Sequence, residues 1–512
     1  MTVTKLLTAG ARLVGRAEYF DGAARRPGAP SFEACALWCL SLLIACGAAA
    51  PGRAWAQIEP PAEGQAPAPL RLPENRAPVG LIEQGGSPRS GPTLDLDTRD
   101  SGGSGPVTGV STRPASANRG VTVASRSRSD YNALPIRVGS FELSPSITGR
   151  VVYDSNVFSQ PDGNDDVIGL LRPSVRARSD WSRHAVVFDG TAEARGYSTY
   201  GSENGVTYDL GARGQYDVDR GHAIRVDLRH ARRLIDRGAV GEVLRTRRPV
   251  RYETTSTGLS TNNRFGRFSL GAGARIARSD FEDAFSPAGE LVSQRFRNSN
   301  RYEAGLDVAY LPTPARSVFA SVNMDLSRFR TDVNGIVRDS DGVEALIGVR
   351  SEITPLIRGT LAAGFIQVTP KDDRFSTNRN LSFQVDIDYL VTELTTVNLL
   401  ARRFPQNPGR TTVPTALATE LRVGADHELL RNVILSAAAI YQSQDYADER
   451  PSVTRWALET GASWLVGRAY RLEASVTYRT RQSETDDLVT GRDFSQFTAG
   501  LGVRYAFGPN TR

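Results

Sequence analysis

Between positions 497 and 507 the chain reads Phe-Thr-Ala-Gly-Leu-Gly-Val-Arg-Tyr-Ala-Phe, with an apolar or aromatic residue at every second position. Thr498, Gly500, Gly502, Arg504 and Ala506 stand between them. A strand points alternate side chains to opposite faces, so this segment has one greasy face and one small or charged face. The same period recurs at 208–216, 224–228, 302–310, 381–389 and 470–478. Opposite the apolar positions there stand Arg213; Arg225, Asp227 and Arg229; Glu303 and Asp307; Asp386 and Asp388; and Arg471, Glu473 and Arg479.

Extending the count over 136–507 predicts about 18 strands. Tight connections are expected near 180–183, 219–222, 312–314, 391–393, 431–432 and 467–468. Long polar ones are expected near 156–166, 234–248, 283–299, 330–340, 371–378, 405–414, 443–452 and 482–491. Such alternation, with an even strand number, belongs to antiparallel barrels of the outer membrane, which keep short turns at the periplasmic end. Tyrosines fall at both ends of the apolar faces, at 208 and 216, 302 and 310, 470 and 478. Eight residues of tilted strand span close to the ~25 Å apolar band flanked by aromatic girdles. The fold class is therefore all-β, a transmembrane antiparallel up-and-down barrel with a disordered N-terminal segment. Pro145 and Pro173 fall in the first two strands and are expected to mark local bulges.

Composition supports the choice of barrel over membrane helix. Nothing beyond residue 56 approaches the roughly 20-residue apolar run that a spanning helix needs. The longest apolar run, 34–50, follows Arg25 and Arg26 and is followed by Ala54-Trp55-Ala56. That order reads as a cleaved secretory signal over 1–56. Cys35, Cys39 and Cys46 all lie within it, so the mature chain is expected to hold no disulfide, thiolate metal site or cysteine nucleophile. A competing reading takes Leu43-Ile44-Ala45-Cys46 as a lipoprotein box with Cys46 acylated. From 57 to 135 the chain holds eleven Pro, ten Gly and one aromatic, Tyr131. It buries too little apolar area to offset its ordering entropy and reads as a periplasmic linker, a spacer or a tether. Residues 508–512 form a short tail.

Residues 1–56 carry six basic and three acidic side chains, so the formal charge of +6 falls to +3 without them. So small a charge over so many strands does not suggest nucleic acid.

A family likeness is carried by the first hairpin. Ile136-Arg-Val-Gly-Ser-Phe141, Pro145, Tyr153-Asp-Ser-Asn-Val-Phe158, Arg172-Pro173 and Ser179-Asp-Trp-Ser-Arg-His184 resemble the opening of the putative β-barrel porin 2 family, outer-membrane barrels of alphaproteobacteria. The resemblance is strongest over 130–200 and continues as general pattern to Phe507. It implies an outer-membrane barrel. Since some members lie beside exopolysaccharide genes, it also implies polysaccharide, or its export proteins, as a partner. The closing strand is similar to the signal read by the barrel-assembly machinery, with Tyr505 and Phe507 as its aromatic positions, although Gly508–Arg512 follow.

Candidate chemistry is sparse. His184, His222, His230 and His427 are too scattered to build one metal site. His230 is read as facing outward; a lipid hydrolase would need a serine within hydrogen-bond reach, and Ser256 or Ser260 on the next strand is the nearest choice. Asp162, Asn164, Asp165 and Asp166 form an acidic loop whose oxygen atoms suit calcium, but Val167 replaces the glycine of an EF-hand and a solvated loop is favoured. Arg232, Arg233, Arg237, Arg245, Arg247, Arg248 and Arg251 cluster in one predicted outer loop, where they would meet lipid and lipopolysaccharide phosphates. No metal, cofactor or enzymatic activity is expected. The leading expectation is a porin-like channel whose charged faces line the lumen, in its finer form the outer-membrane port of exopolysaccharide export. A structural or adhesive barrel anchoring a surface polymer is the alternative, and a lipid hydrolase the remote one.

Overall fold

The computed structural model describes residues 122–509 apart from 127, 220, 240–245, 314, 333–334, 407–415, 447–452 and 484–492. The predicted signal, the three cysteines, the linker up to 121 and the end of the tail lie outside the described residues.

The first strands are β1 (Ile136–Val138), β2 (Phe141–Asp154), β3 (Asp166–Ser179), β4 (Ala185–Tyr197), β5 (Gly205–Asp217) and β6 (His222–Leu234). Next come β7 (Arg251–Phe265), β8 (Phe268–Phe281), the short pair β9 (Ala284–Phe285) and β10 (Leu291–Val292), β11 (Ser299–Thr313) and β12 (Arg316–Phe329). The series continues with β13 (Ser340–Thr354), β14 (Ile357–Pro370), β15 (Asn378–Thr392), β16 (Thr395–Gln406) and β17 (Ala416–Leu430). It ends with β18 (Val433–Tyr446), β19 (Val453–Leu465), β20 (Tyr470–Ser483) and β21 (Phe494–Ala506).

Each long strand pairs antiparallel with its sequence neighbour, and β8 pairs with β11 past the β9–β10 hairpin. Closure comes from β21 returning to β2, with 498–506 set against 146–154. Strands β2–β8 and β11–β21 thus form a closed 18-strand antiparallel barrel. Its two ends differ as the sequence suggests: short turns lie at the end that holds the entry of β2 and the exit of β21, and long loops at the other. Two short turns, at 265–268 and 354–357, and one loop, at 198–204, were not among the expected connections. Phe265 and Phe268 flank Gly266 with apolar side chains that continue the strand pattern, while Gly266 takes φ +60, which its lack of a Cβ permits.

The outward face is apolar along its middle. Val151, Leu171, Leu210, Leu228, Leu306, Val308, Val322, Ile347, Leu381, Leu458 and Leu501 are all exposed there. Residues one position away turn inward and are mostly polar, the inverse of a water-soluble protein. Tyr216, Tyr310, Tyr389, Tyr470 and Phe268 ring the turn end; Tyr153, Tyr302, Trp456, Tyr478 and Phe497 ring the loop end.

The prolines do not produce bulges. The β2–β3 ladder runs through Pro145↔Val175 and Ile147↔Pro173 without a shift of register. The edge of β2 is shared: β1 covers 141–143 and β21 covers 146–154, so Pro145 falls between two partners where no donor is required. At Pro173 the β3–β4 ladder only skips, from Leu171↔Ala194 to Ser174↔Thr191, in constant register. Register shifts occur instead beside turns, at Tyr310/Thr313, Glu352/Thr354, Leu390/Thr392 and Glu428/Leu430.

Candidate pore

The inner wall is assembled by cross-strand neighbours. Arg213 donates to Asp189 at 2.8 Å and stands opposite Asp227. Arg229 grips Asp209 with two hydrogen bonds of 2.7 and 2.8 Å, and Arg233 reaches the same carboxylate at 3.2 Å. Arg225 donates to Gln215 at 3.0 Å. On the far side Arg301 pairs with Asp325 and lies 3.4 Å from Glu303. Arg350 donates to Asp307 at 3.0 and 3.3 Å while stacking 3.6 Å over the Phe319 ring. Arg358 approaches Asp388 at 3.7 Å, and Asp386 occupies the same face of β15. Arg471 stands directly opposite Arg504, and Glu473 opposite Gly502. The structure therefore places the charged positions of those five segments on one continuous inner surface.

Sequence reading passed over Arg150, Arg172, Glu193, Asp209, Asp325, Glu344, Arg350, Arg402, Glu420 and Arg455, which share that surface. Glu193 holds both Arg172 and Arg195, and Arg402 donates to Glu420 at 2.7 and 2.9 Å. Their strands alternate with the same period, so the signal was present but masked by alanine, glycine and threonine on the outward face.

Charge is not evenly spread around the bore. On β11–β17 the inward carboxylates Glu303, Asp307, Asp325, Glu344, Asp386, Asp388, Glu420, Asp426 and Glu428 outnumber the inward guanidinium groups of Arg301, Arg350, Arg358, Arg402 and Arg422. On the arc from β19 through β21 to β3 the inward guanidinium groups of Arg455, Arg471, Arg479, Arg481, Arg504, Arg150, Arg172, Arg176 and Arg178 outnumber the inward carboxylates Glu459, Glu473, Asp154 and Asp166. The net acidic arc and the net basic arc occupy different sides of the barrel, parted by β18 on one flank and by β4–β8 on the other, so a field runs across the bore rather than along it.

Two segments lie against the inner wall. After β6 the chain turns inward, and Asp236 accepts hydrogen bonds from Arg479 of β20 at 2.6 and 3.2 Å. The Ala239 carbonyl accepts from Arg481 at 3.1 Å. A Cβ on Gly238 would stand 2.7 Å from the Phe494 ring and 2.9 Å from Ser159 Oγ, so only glycine lets the segment sit so close. Burial works to raise the Asp236 carboxyl, but the charge and hydrogen bonds of Arg479, the Gly238 N–H and the charge of Arg455 hold it below its ordinary value. At the turn end residues 122–126 and 128–131 lie against the β15–β18 wall. The Val123 N–H donates to Thr396 Oγ1 at 3.0 Å, and Arg126 and Arg128 share Glu428 at 2.9 and 2.7 Å. These last residues of the Pro/Gly/Ser-rich stretch are held by buried ion pairs that composition does not register.

The remaining candidates fall elsewhere. Arg237 is half-buried, donating to Glu203 at 2.7 and 3.1 Å and to the Thr246 carbonyl at 2.7 Å. Arg247 and Arg248 are exposed, and Arg245 lies outside the described residues. His230 faces outward, within 3.1 Å of the Tyr208 hydroxyl and 2.9 Å of Thr255 Oγ1. Ser256 and Ser260 turn to the inner face instead, where Ser256 Oγ accepts from Arg275, so neither reaches the imidazole. His184 stacks on Tyr216, His222 meets Asp219, and His427 meets Thr395. In the acidic loop, the Asp166 carboxylate accepts from the backbone N–H groups of Thr199 and Tyr200 at 2.9–3.1 Å. Tyr505 packs between Tyr470 and Phe507, 5.0 and 4.7 Å away.

A sequence profile described as putative beta-barrel porin 2 matches residues 128–507. Among solved structures, the outer membrane protein OpdK of Pseudomonas aeruginosa is 11% identical, with 71% of this chain and 99% of that chain covered at a TM-score of 0.39. A mutant of the ferric enterobactin receptor PfeA of Pseudomonas aeruginosa is 7% identical, covering 71% and 80% at 0.39. The siderophore receptor PirA of Acinetobacter baumannii is 7% identical, covering 71% and 80% at 0.38. Comparison with curated proteins gave no match.

Proposed function

The chain belongs to the putative β-barrel porin 2 family, a porin-like outer-membrane barrel, and on that premise we propose that it conducts small polar solutes through its bore. The observation that carries this reading is the opposition of an acidic inner arc on β11–β17 to a basic one on β19–β3. A transverse field of that kind orients dipolar solutes and sorts ions by sign at close quarters. Purified protein in planar bilayers should give discrete conductance steps, and Arg479→Gln or Glu420→Gln should alter the cation-to-anion permeability ratio. A wild-type protein that inserts but never conducts would leave the structural or adhesive reading in its place.

Passage of an exopolysaccharide is the finer reading. It is favoured by the inward, partly exposed amides of Gln384 and Gln442, which suit sugar hydroxyls. Deleting the gene and measuring secreted glycan tests it; unchanged secretion removes this form and leaves the small-solute channel standing.

A further inference from the structure

The outward face carries a second charge pattern, unrelated to the bore. Just beyond the loop-end aromatics stand Arg232 on β6, Arg278 on β8, Arg328 on β12, Arg379 on β15 and Arg403 on β16, with Arg330 and Lys371 immediately after β12 and β14. Their register fixes the direction: Arg278 is opposite Asn300 and Thr255, one pleat above Tyr302, and Arg379 is opposite Gln367, one pleat above exposed Phe365. Two guanidinium groups also sit over outward rings, Arg232 over Tyr208 at 5.5 Å and Arg403 over Phe383 at 5.8 Å.

The carboxylates on this surface are too few to neutralise it. Asp280 is shared by Arg278 at 2.8 Å and by Arg330; Asp341 is shared by Arg328 at 2.6 Å and by Lys371. Glu253 holds Arg232 at 2.7 Å. Among the described residues the hydrogen bonds of Arg379 and Arg403 go to neutral partners, Gln367 and Thr419, each at 3.0 Å. Glu282 also lies near Arg232, so these seven cations face four carboxylates. The array covers the nine strands from β6 to β16 and stops there. Over β17–β21 and β2–β5 the outward residues at that level are Ser443, Thr454, Thr480, Ser495 and Val206 beside Trp456 and Tyr478. Among the described residues that half carries no outward cation near the loop end.

We propose that this half-belt is a docking surface for phosphorylated headgroups of the outer-leaflet glycolipid. Long loops face outward from the cell in barrels of this kind, which sets the belt at the height where lipid phosphates lie. Arginine forks match phosphate with paired hydrogen bonds. The ring-stacked pair, Arg232 and Arg403, are held at the aromatic level by contacts that also favour the headgroup zone. Each cation near a charged lipid surface contributes about 1 kcal/mol, so removing three weakens binding by about a hundredfold.

The test uses the full chain in detergent with two probes, bisphosphorylated lipid A and the same glycolipid with both phosphates removed. Wild type is expected to bind the phosphorylated form far more tightly. The triple variant Arg328→Gln, Arg379→Gln, Arg403→Gln should lose about a hundredfold, whereas the matching Arg→Lys triple, which keeps the charge but not the fork, should fall between that variant and wild type. Heat-modifiable migration checks that each variant is folded, and single-channel conductance should be unaltered because these side chains face away from the bore. Equal binding of the two probes, or undiminished binding by the Gln triple, overturns the proposal. So does displacement by inorganic phosphate at the concentration at which the lipid itself competes, since the surface would then be selecting free phosphate.

Discussion

Arg350 shows how one inward side chain is fixed by its neighbours. Its guanidinium pairs with buried Asp307 and lies flat on Phe319, and the ring has room only because position 348 is glycine. A Cβ there would approach the ring to 2.8 Å and the Leu361 carbonyl to 2.5 Å. Gly348→Val should therefore destabilise the barrel by about 1–3 kcal/mol through overpacking. Asp307→Ala should cost about 3–5 kcal/mol, because it leaves a buried guanidinium without its counter-charge. Denaturant titration of the folded, heat-modifiable species measures both, and an unshifted midpoint for either contradicts the packing described. Asp236 supplies the pH dependence. Its carboxyl is held below the ordinary value near 3.9, so the anchoring of 235–239 is complete above that value and fades as pH falls through the lowered one. Arg479, Arg455, the Gly238 N–H, the Asp154 carboxyl and Tyr197 are among the groups that face it. Conductance should be flat from pH 7 to about 5 and rise only in stronger acid, and Asp236→Asn should show the raised level already at neutral pH.

At the scale of elements, period-two alternation located most strands because lipid outside and water inside impose opposite demands on successive residues. The pattern failed where both faces are alike. The Phe265–Phe268 turn hides between apolar flanks, and the prolines suggested bulges although the ladder passes Pro145 and Pro173 unshifted. Residues 122–131 are the clearest departure from composition. A Ser- and Arg-rich stretch with one tyrosine is unpromising alone, yet Glu428 at the end of β17 supplies a buried anion that two of its arginines share. Arg128→Ala should detach this stretch from the wall, exposing it to protease while the barrel remains heat-modifiable. Protection equal to wild type would show that the Val123–Thr396 contact suffices without the ion pair.

Over the whole molecule, closure of β21 on β2 turns a list of alternating segments into a surface with an inside. Only then do Glu303, Asp388 and Glu420 fall on one arc and Arg471, Arg479 and Arg504 on the other. Neutralising the three carboxylates to glutamine should shift selectivity toward anions, measured as reversal potential in a salt gradient; an unmoved potential would mean that the field of these groups does not reach the permeating ion. The alternation of hydrophobic and polar residues determined strand identity, facing and membrane setting, since those depend on neighbours two positions apart. Which charge meets which, that the residues after β6 turn inward to Arg479, and that one half of the outer rim is cationic were decided by tertiary structure. Those facts join residues tens or hundreds of positions apart, and no local period records the register that brings them together.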